Sequence, residues 1–187
     1  MDKRIKEILI SEEQLKIGIN KAANWLNSNY TSEQCPVLVG ILKGCIPFIG
    51  SIIPLLKFDF FIDFITASSF KGGTSANKNI DLYVNLSHDI KNKDVVILED
   101  IIDTARTLKL VVEKFYELGA KSIKIVTLLD KIEGRLVELN ADYSCFVIPN
   151  KFIVGFGLDY MEILRNLPYI GILKDEYIEE CKKKKGE

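Results

Sequence analysis

The sequence predicts an α/β protein with a mostly parallel, twisted sheet flanked by helices. Three observations predict it. The β-branched runs VLVGIL at Val37–Leu42, VVILE at residues 95–99 and SIKIVTLLD at Ser122–Asp130 suit strands buried on both faces. Segments with apolar residues at helical spacing lie between them. Strands that alternate with helices form βαβ units with right-handed crossovers, which place helices on both faces of the sheet. At 187 residues the chain has the size of one ordinary domain, so residues 1–187 are expected to form a single unit.

Each element has its own justification. Ser11 followed by Gln14 fits a capping box, and Leu15, Ile19, Ala22, Ala23 and Leu26 recur at helical spacing, which predicts a helix over residues 11–29. After a turn at 31–36 comes the strand Val37–Leu42, and then a helix over 47–56 with Pro47 in its first turn. FDFFIDFITASSF, residues 58–70, is aromatic and β-branched enough for a long strand. KGGTSANKN at 71–79 is rich in turn residues and reads as a loop, and residues 80–86 resume a strand pattern. VVILE is the clearest central strand. A helix over 107–118 carries Leu108, Val111, Val112 and Phe115 on one face and stops at Gly119. After Ser122–Asp130, the segments SCFVIP and KFIVGFG supply two shorter strands, and the lysines at 182–185 read as a solvated, frayed end.

Composition excludes several function classes. Lys+Arg 25 against Asp+Glu 26 leaves no global field for nucleic acid. Cys35, Cys45, Cys145 and Cys181 lie far apart, and with one histidine, His88, there is no zinc-ligand spacing; they read as reduced thiols. MDKRIKEILI lacks the apolar core of a signal peptide, and the longest uncharged apolar run, residues 44–56, holds two prolines and is too short to span a bilayer. A soluble cytoplasmic protein is expected, with no membrane or nucleic-acid partner.

Parallel sheets bind ligands at the carboxyl ends of their strands, where Lys43-Gly44, Glu99-Asp100 and Asp130-Lys131 fall. The segment VVILEDIIDTARTL, residues 95–108, places three carboxylates and two threonines where a strand meets a helix. A helix start aims backbone N–H groups at an anion, so Thr104, Ala105, Arg106 and Thr107 are placed for a phosphate. Carboxylates repel phosphate. Glu99, Asp100 and Asp103 therefore call for ribose hydroxyls, a magnesium ion or an exchangeable base proton. A phosphorylated sugar meets all these demands together. Any one of these acids or threonines is more simply a helix cap; the set behind one buried strand favours a ligand. No P-loop is present, and GFG at Gly155 to Gly157 lacks the third glycine of a dinucleotide fingerprint.

EDIIDTARTL resembles the phosphoribosyl-pyrophosphate (PRPP) loop of the phosphoribosyltransferases, in particular of the hypoxanthine-guanine family. LVGILKGCIPF at 38–48 resembles that family's pyrophosphate-contacting segment and SSF at 68–70 its lid. Asp130-Lys131 and KFIVGFGLDYMEILRNLPYIGIL at 151–173 resemble its purine-binding end. The likeness implies the type I phosphoribosyltransferase fold, with a small hood built from N- and C-terminal segments. It also implies a role for each matching position. Glu99 and Asp100 would hold the ribose diol and magnesium, Asp103 would exchange a proton with purine N7, and Thr104, Ala105, Arg106 and Thr107 would cradle the 5′-phosphate. Lys43 and Gly44, at a cis peptide in that family, would face pyrophosphate together with Arg165. Lys131 would bond the exocyclic purine oxygen, Phe152 would stack on the ring, Ile153 would offer backbone groups and Asp159 would bind a second magnesium. Ser69 and Phe70 would belong to the lid.

The implied reaction transfers phosphoribose from PRPP to N9 of hypoxanthine or guanine, with Mg2+ as cofactor and a homodimer or homotetramer as the assembly. Two residues depart from the family pattern: Ala105 stands where glycine is usual, and Phe70 where tyrosine is. The competing classes are a PRPP-binding regulator without catalysis and a pyrimidine-using transferase. Asp103, Lys131, Asp159 and Arg165 argue against the first, and the segment 151–173 against the second.

Overall fold

The computed structural model describes residues 1–69 and 80–185. Its elements in order are β1 (Ile5–Ile10), α1 (Glu12–Asn29), β2 (Val37–Leu42), α2 (Ile46–Ile52), β3 (Phe61–Ser69), β4 (Ile80–Tyr83), β5 (Asp94–Ile102), α3 (Arg106–Glu117), β6 (Ser122–Asp130), β7 (Tyr143–Val147), β8 (Ile153–Val154), β9 (Ile170–Leu173) and α4 (Asp175–Lys185). The main sheet has the order β4-β3-β2-β5-β6-β7. Strands β3, β2, β5, β6 and β7 run parallel, and β4 closes one edge antiparallel.

Strand alternation sends consecutive residues of β5 to opposite faces. Val96 and Leu98 meet Leu15, Leu26, Phe48 and Ile52 from α1 and α2. Val95 and Ile97 meet Leu108, Val111 and Phe115 from α3. Burial on both faces is why these strands read as unbroken apolar runs. The capping box of α1 is complete: Gln14 N–H donates to Ser11 Oγ at 3.3 Å, and Ser11 N–H donates to Gln14 Oε1 at 2.8 Å.

Five expectations need correction; one is the strand expected over 80–86, which spans only Ile80–Tyr83. The helix expected over 47–56 ends at Ile52 and tightens into a 3-10 turn over Ile53–Leu55. Pro54 has no N–H for the helical ladder, and its ring crowds the preceding turn. Strand β3 starts at Phe61 rather than Phe58, because Phe58 is buried in the core, its ring centroid 5.7 Å from that of Tyr30. Strand β5 continues past Glu99 to Ile102, so Asp100 joins Glu99 as a strand residue; its partner β6 runs alongside as far as Asp130. Pairing overrides the low β-propensity of the acids. Finally, the lysines at 182–185 belong to α4, to which lysine is well suited, and Asp175 and Glu176 complement the dipole of its first turn.

A second, three-stranded antiparallel sheet of order β1-β9-β8 forms the hood over the strand ends. No helix of the described residues is long and apolar enough to cross a membrane.

Candidate active site

The carboxyl ends of β2 and β5, the start of α3 and part of the hood enclose a cleft of about 740 Å³. On one side the Leu42–Lys43 peptide is cis, and the chain then passes through Gly44. A Cβ at Gly44 would overlap Oδ2 of Asp100, so only glycine lets this turn lie against the acid.

Glu99 and Asp100 form the acidic floor. Oε2 of Glu99 is buried without a hydrogen-bond partner. Burial, reinforced by the Asp100 charge, holds the Glu99 carboxyl well above the usual carboxylate range. Burial likewise pushes Asp100 up to about 6, against the hydrogen bond that Ile101 N–H donates to its Oδ1 at 2.9 Å. Such a pair is poised for a cation.

Beyond it the chain turns through Asp103, Thr104 and Ala105 into α3. Ala105 is buried and left-handed, with φ 63° and ψ 0°, the conformation glycine adopts without a steric penalty. No side chain caps α3. The N–H groups of its first turn are thus left without an intrahelical partner at the end of the helix beside Thr104 and Thr107, which line the cleft, where they can serve as anion donors.

At the far wall Lys131 Nζ donates to Asp103 Oδ2 at 2.9 Å. Behind this pair, Arg135 clamps the loop. Its guanidinium donates to the carbonyls of Ile102 at 2.7 Å, Asp103 at 3.0 Å and Leu139 at 3.1 Å, and it ion-pairs with the carboxylate of buried Asp130. Gly134 lies against Asp103 so closely that a Cβ there would overlap Oδ1.

The hood contributes Asp159, Glu162 and Arg165. Arg165 pairs with Asp159 Oδ1 at 2.8 Å and with Glu162 Oε2 at 3.2 Å, and its Nη1 donates to Gly157 O at 2.8 Å. The same Glu162 Oε2 accepts from Lys43 Nζ at 2.9 Å.

Residues 6–161 match the phosphoribosyl transferase domain family. The chain is 46% identical over 176 residues to a hypoxanthine-guanine phosphoribosyltransferase of Streptococcus pneumoniae, covering 94% of this chain and 97% of that one. The chain belongs to the hypoxanthine-guanine phosphoribosyltransferase family. A relative of that name from Mycoplasma genitalium is 41% identical over 172 residues, covering 92% and 98% of the two chains. A Staphylococcus aureus hypoxanthine phosphoribosyltransferase superposes with a TM-score of 0.87 at 40% identity, covering 93% of this chain and 94% of that one. A Trypanosoma cruzi hypoxanthine phosphoribosyl transferase gives 0.90 at 31% identity, covering 98% of each. The parallel sheet flanked by helices is the type I phosphoribosyltransferase fold.

Of the family positions matched in the sequence, Lys43, Gly44, Glu99, Asp100, Asp103, Thr104, Ala105, Thr107, Asp159 and Arg165 line the cleft. Arg106, Lys131, Phe152 and Ile153 do not, although Lys131 reaches it through Asp103. Phe152 is about half exposed beside the hood, edge-on to Tyr160 at 5.2 Å. Leu173 N–H donates to Phe152 O, and Ile153 lies opposite Ile172. In an antiparallel ladder this alternation turns the N–H and C=O of Ile153 away from β9, toward the open edge of the hood. Ser69 ends β3, and Phe70 with the loop behind it lies outside the described residues.

Sequence reasoning missed Glu162, Arg135 and Gly134. The available signal was a charged residue inside the segment 151–173 for Glu162, and one close behind Asp130-Lys131 for Arg135. Gly134 carried none, because its neighbour Asp103 lies on another strand end.

Proposed function

We propose that the chain transfers the 5-phosphoribosyl group of PRPP to N9 of a 6-oxopurine, hypoxanthine and guanine, releasing pyrophosphate and supplying a purine nucleotide by salvage. The observation that carries this reading is the Asp103–Lys131 pair at 2.9 Å, set at one end of a cleft whose other surfaces suit a phosphorylated sugar. A 6-oxopurine offers a donor at N7 and an acceptor at O6. Inserted at the pair, it gives the carboxylate a proton to accept and the ammonium an oxygen to bond. Adenine presents an amino group where the ammonium needs an acceptor, so it is a poor substrate. A pyrimidine lacks N7.

Asp103 takes the N7 proton as the bond from N9 to the anomeric carbon forms and the bond to pyrophosphate breaks. The amides of Thr104 to Thr107 and the threonine hydroxyls hold the 5′-phosphate. Lys43 and Arg165 take up the charge that develops on pyrophosphate. Phe152 stacks on the purine and the open backbone of Ile153 meets its edge. By resemblance to the family, Ser69 and Phe70 would belong to a lid that excludes water as a competing nucleophile.

Magnesium fits the acidic floor. The buried, unpartnered Oε2 of Glu99 and the raised Asp100 carboxyl call for a cation. The pair suits an ion that takes one or two carboxylates and completes its shell with phosphate oxygens and water. When bound it neutralises charge on the leaving group. Asp159 would join a second ion by releasing Arg165.

We place the protein in the cytoplasm, in keeping with its four free cysteines, and expect a homodimer or homotetramer. Sedimentation equilibrium reads the assembly. The deciding assay mixes protein, PRPP and magnesium with hypoxanthine, guanine, adenine or uracil, and measures nucleotide and pyrophosphate. Turnover of the 6-oxopurines alone is expected. Turnover of uracil without hypoxanthine, or PRPP binding with no turnover, overturns the reading.

A further inference from the structure

We propose that Glu162 is an internal anion, standing in for a pyrophosphate oxygen whenever that subsite holds no diphosphate. The inference rests on the reading that Lys43 and Arg165 face the pyrophosphate group.

One carboxylate oxygen, Oε2 of Glu162, accepts from both cations, Lys43 Nζ at 2.9 Å and Arg165 Nη2 at 3.2 Å. Lys43 stands 119 residues away in the chain, on the turn after β2, while Arg165 stands three residues from Glu162 in the hood. Two cations from separate elements thus converge on one anionic oxygen in the cleft, the arrangement that a phosphate oxygen also demands.

The contact is built to be exchanged. Glu162 is 66% exposed, so the fold does not need it paired. Solvated ion pairs of this kind hold weakly. Its backbone is nonetheless held in place: Met161, Glu162 and Leu164 have φ of 55°, 67° and 75°, and Glu162 N–H donates to Asp159 Oδ2 at 2.8 Å. Left-handed conformations are disfavoured for such residues and gather where a site requires them.

A diphosphate carries several negative charges against one on the carboxylate, so it displaces Glu162 from both cations. When pyrophosphate departs, Glu162 returns. The carboxylate therefore weakens the grip on PRPP and on product alike, and keeps Lys43 and Arg165 gathered between turnovers. Its role is positioning and competitive; it touches no reacting atom.

The test compares wild type with Glu162→Gln and Glu162→Asp. Calorimetry measures pyrophosphate binding with and without magnesium, and steady-state kinetics measures KM for PRPP and for hypoxanthine. Two weak ion pairs lost to a neutral amide should tighten pyrophosphate about three- to tenfold in Glu162→Gln. KM for PRPP should fall in step, KM for hypoxanthine should hold, and Glu162→Asp should stay near wild type. Unchanged or weaker pyrophosphate binding in Glu162→Gln overturns the proposal. Lys43→Met and Arg165→Met separate the two readings. If neither weakens pyrophosphate, the subsite assignment itself fails. If both weaken it while Glu162→Gln does not tighten it, only the internal anion falls.

Discussion

Lys131 Nζ and Asp103 Oδ2 lie 2.9 Å apart across 28 residues of chain, joining the ends of two neighbouring strands. The Lys131 side chain is 9% exposed and that of Asp103 47%, so the pair runs from the protein wall to the cleft. The two substitutions should therefore separate. Asp103→Asn removes the proton acceptor and should lower kcat about a hundredfold or more, with little change in KM for PRPP. Lys131→Met removes the partner of O6 and should raise KM for hypoxanthine. Steady-state kinetics with both substrates varied distinguishes them; equal losses in kcat and KM for both variants would contradict the division of labour.

The Arg135 clamp makes a stability prediction. Arg135→Met leaves the buried carboxylate of Asp130 without its cation and takes the guanidinium donors from the carbonyls of Ile102 and Asp103. Breaking one side of such a pair costs about 3–5 kcal/mol. Urea unfolding should show that loss, with Arg135→Lys recovering part of it. A shift below about 1 kcal/mol, the scale of an exposed pair, would mean the clamp is solvated.

The acidic floor predicts a pH dependence with a definite sign. Asp100 rises from its ordinary 3.8 to about 6 in the folded protein, chiefly through burial. Between those values the folded state holds a proton that the unfolded chain has lost, so stability falls as pH rises from about 4 to 6. The whole shift is worth about 3 kcal/mol. Asp100→Asn should thus be more stable than wild type above pH 6, with the gap closing toward pH 4. Magnesium should bind wild type more weakly below pH 6, where protons compete for the carboxylate. Calorimetric melting with and without magnesium across that range checks both.

Ala105 offers a backbone test. Glycine there removes the left-handed penalty but frees the unfolded chain, two opposed terms of about 1 kcal/mol each. Ala105→Gly should leave the thermal midpoint nearly unchanged. Ala105→Val puts a β-branched side chain at φ 63° in a buried position and should lose about 2 kcal/mol or more. Equal midpoints for the two variants would show that the loop relaxes around residue 105.

How much of this was legible depended on whether the signal was local. Val37–Leu42 and Ser122–Asp130 match the expected strands to the residue, because both are apolar runs whose ends are marked by turn residues. The helix α1 was equally clear from its capping box and its apolar stripe. By contrast β1, IKEILI, buries only Ile5 and Ile10 at its two ends and leaves Ile8 exposed, which offers no alternation to read. It becomes a strand because β9 lies beside it, more than 160 residues later.

By itself the sequence determined the central sheet, its flanking helices and the family, since these depend on local periodicity and on contiguous motifs such as EDIIDTARTL. It also supplied most of the cleft residues. Only the tertiary structure decided that Asp103 meets Lys131, that Arg135 braces the loop from behind, and that Glu162 sits between Lys43 and Arg165. Those relations join residues on separate strand ends and on the hood, and hydrogen bonds across such gaps form only once packing has brought the elements together.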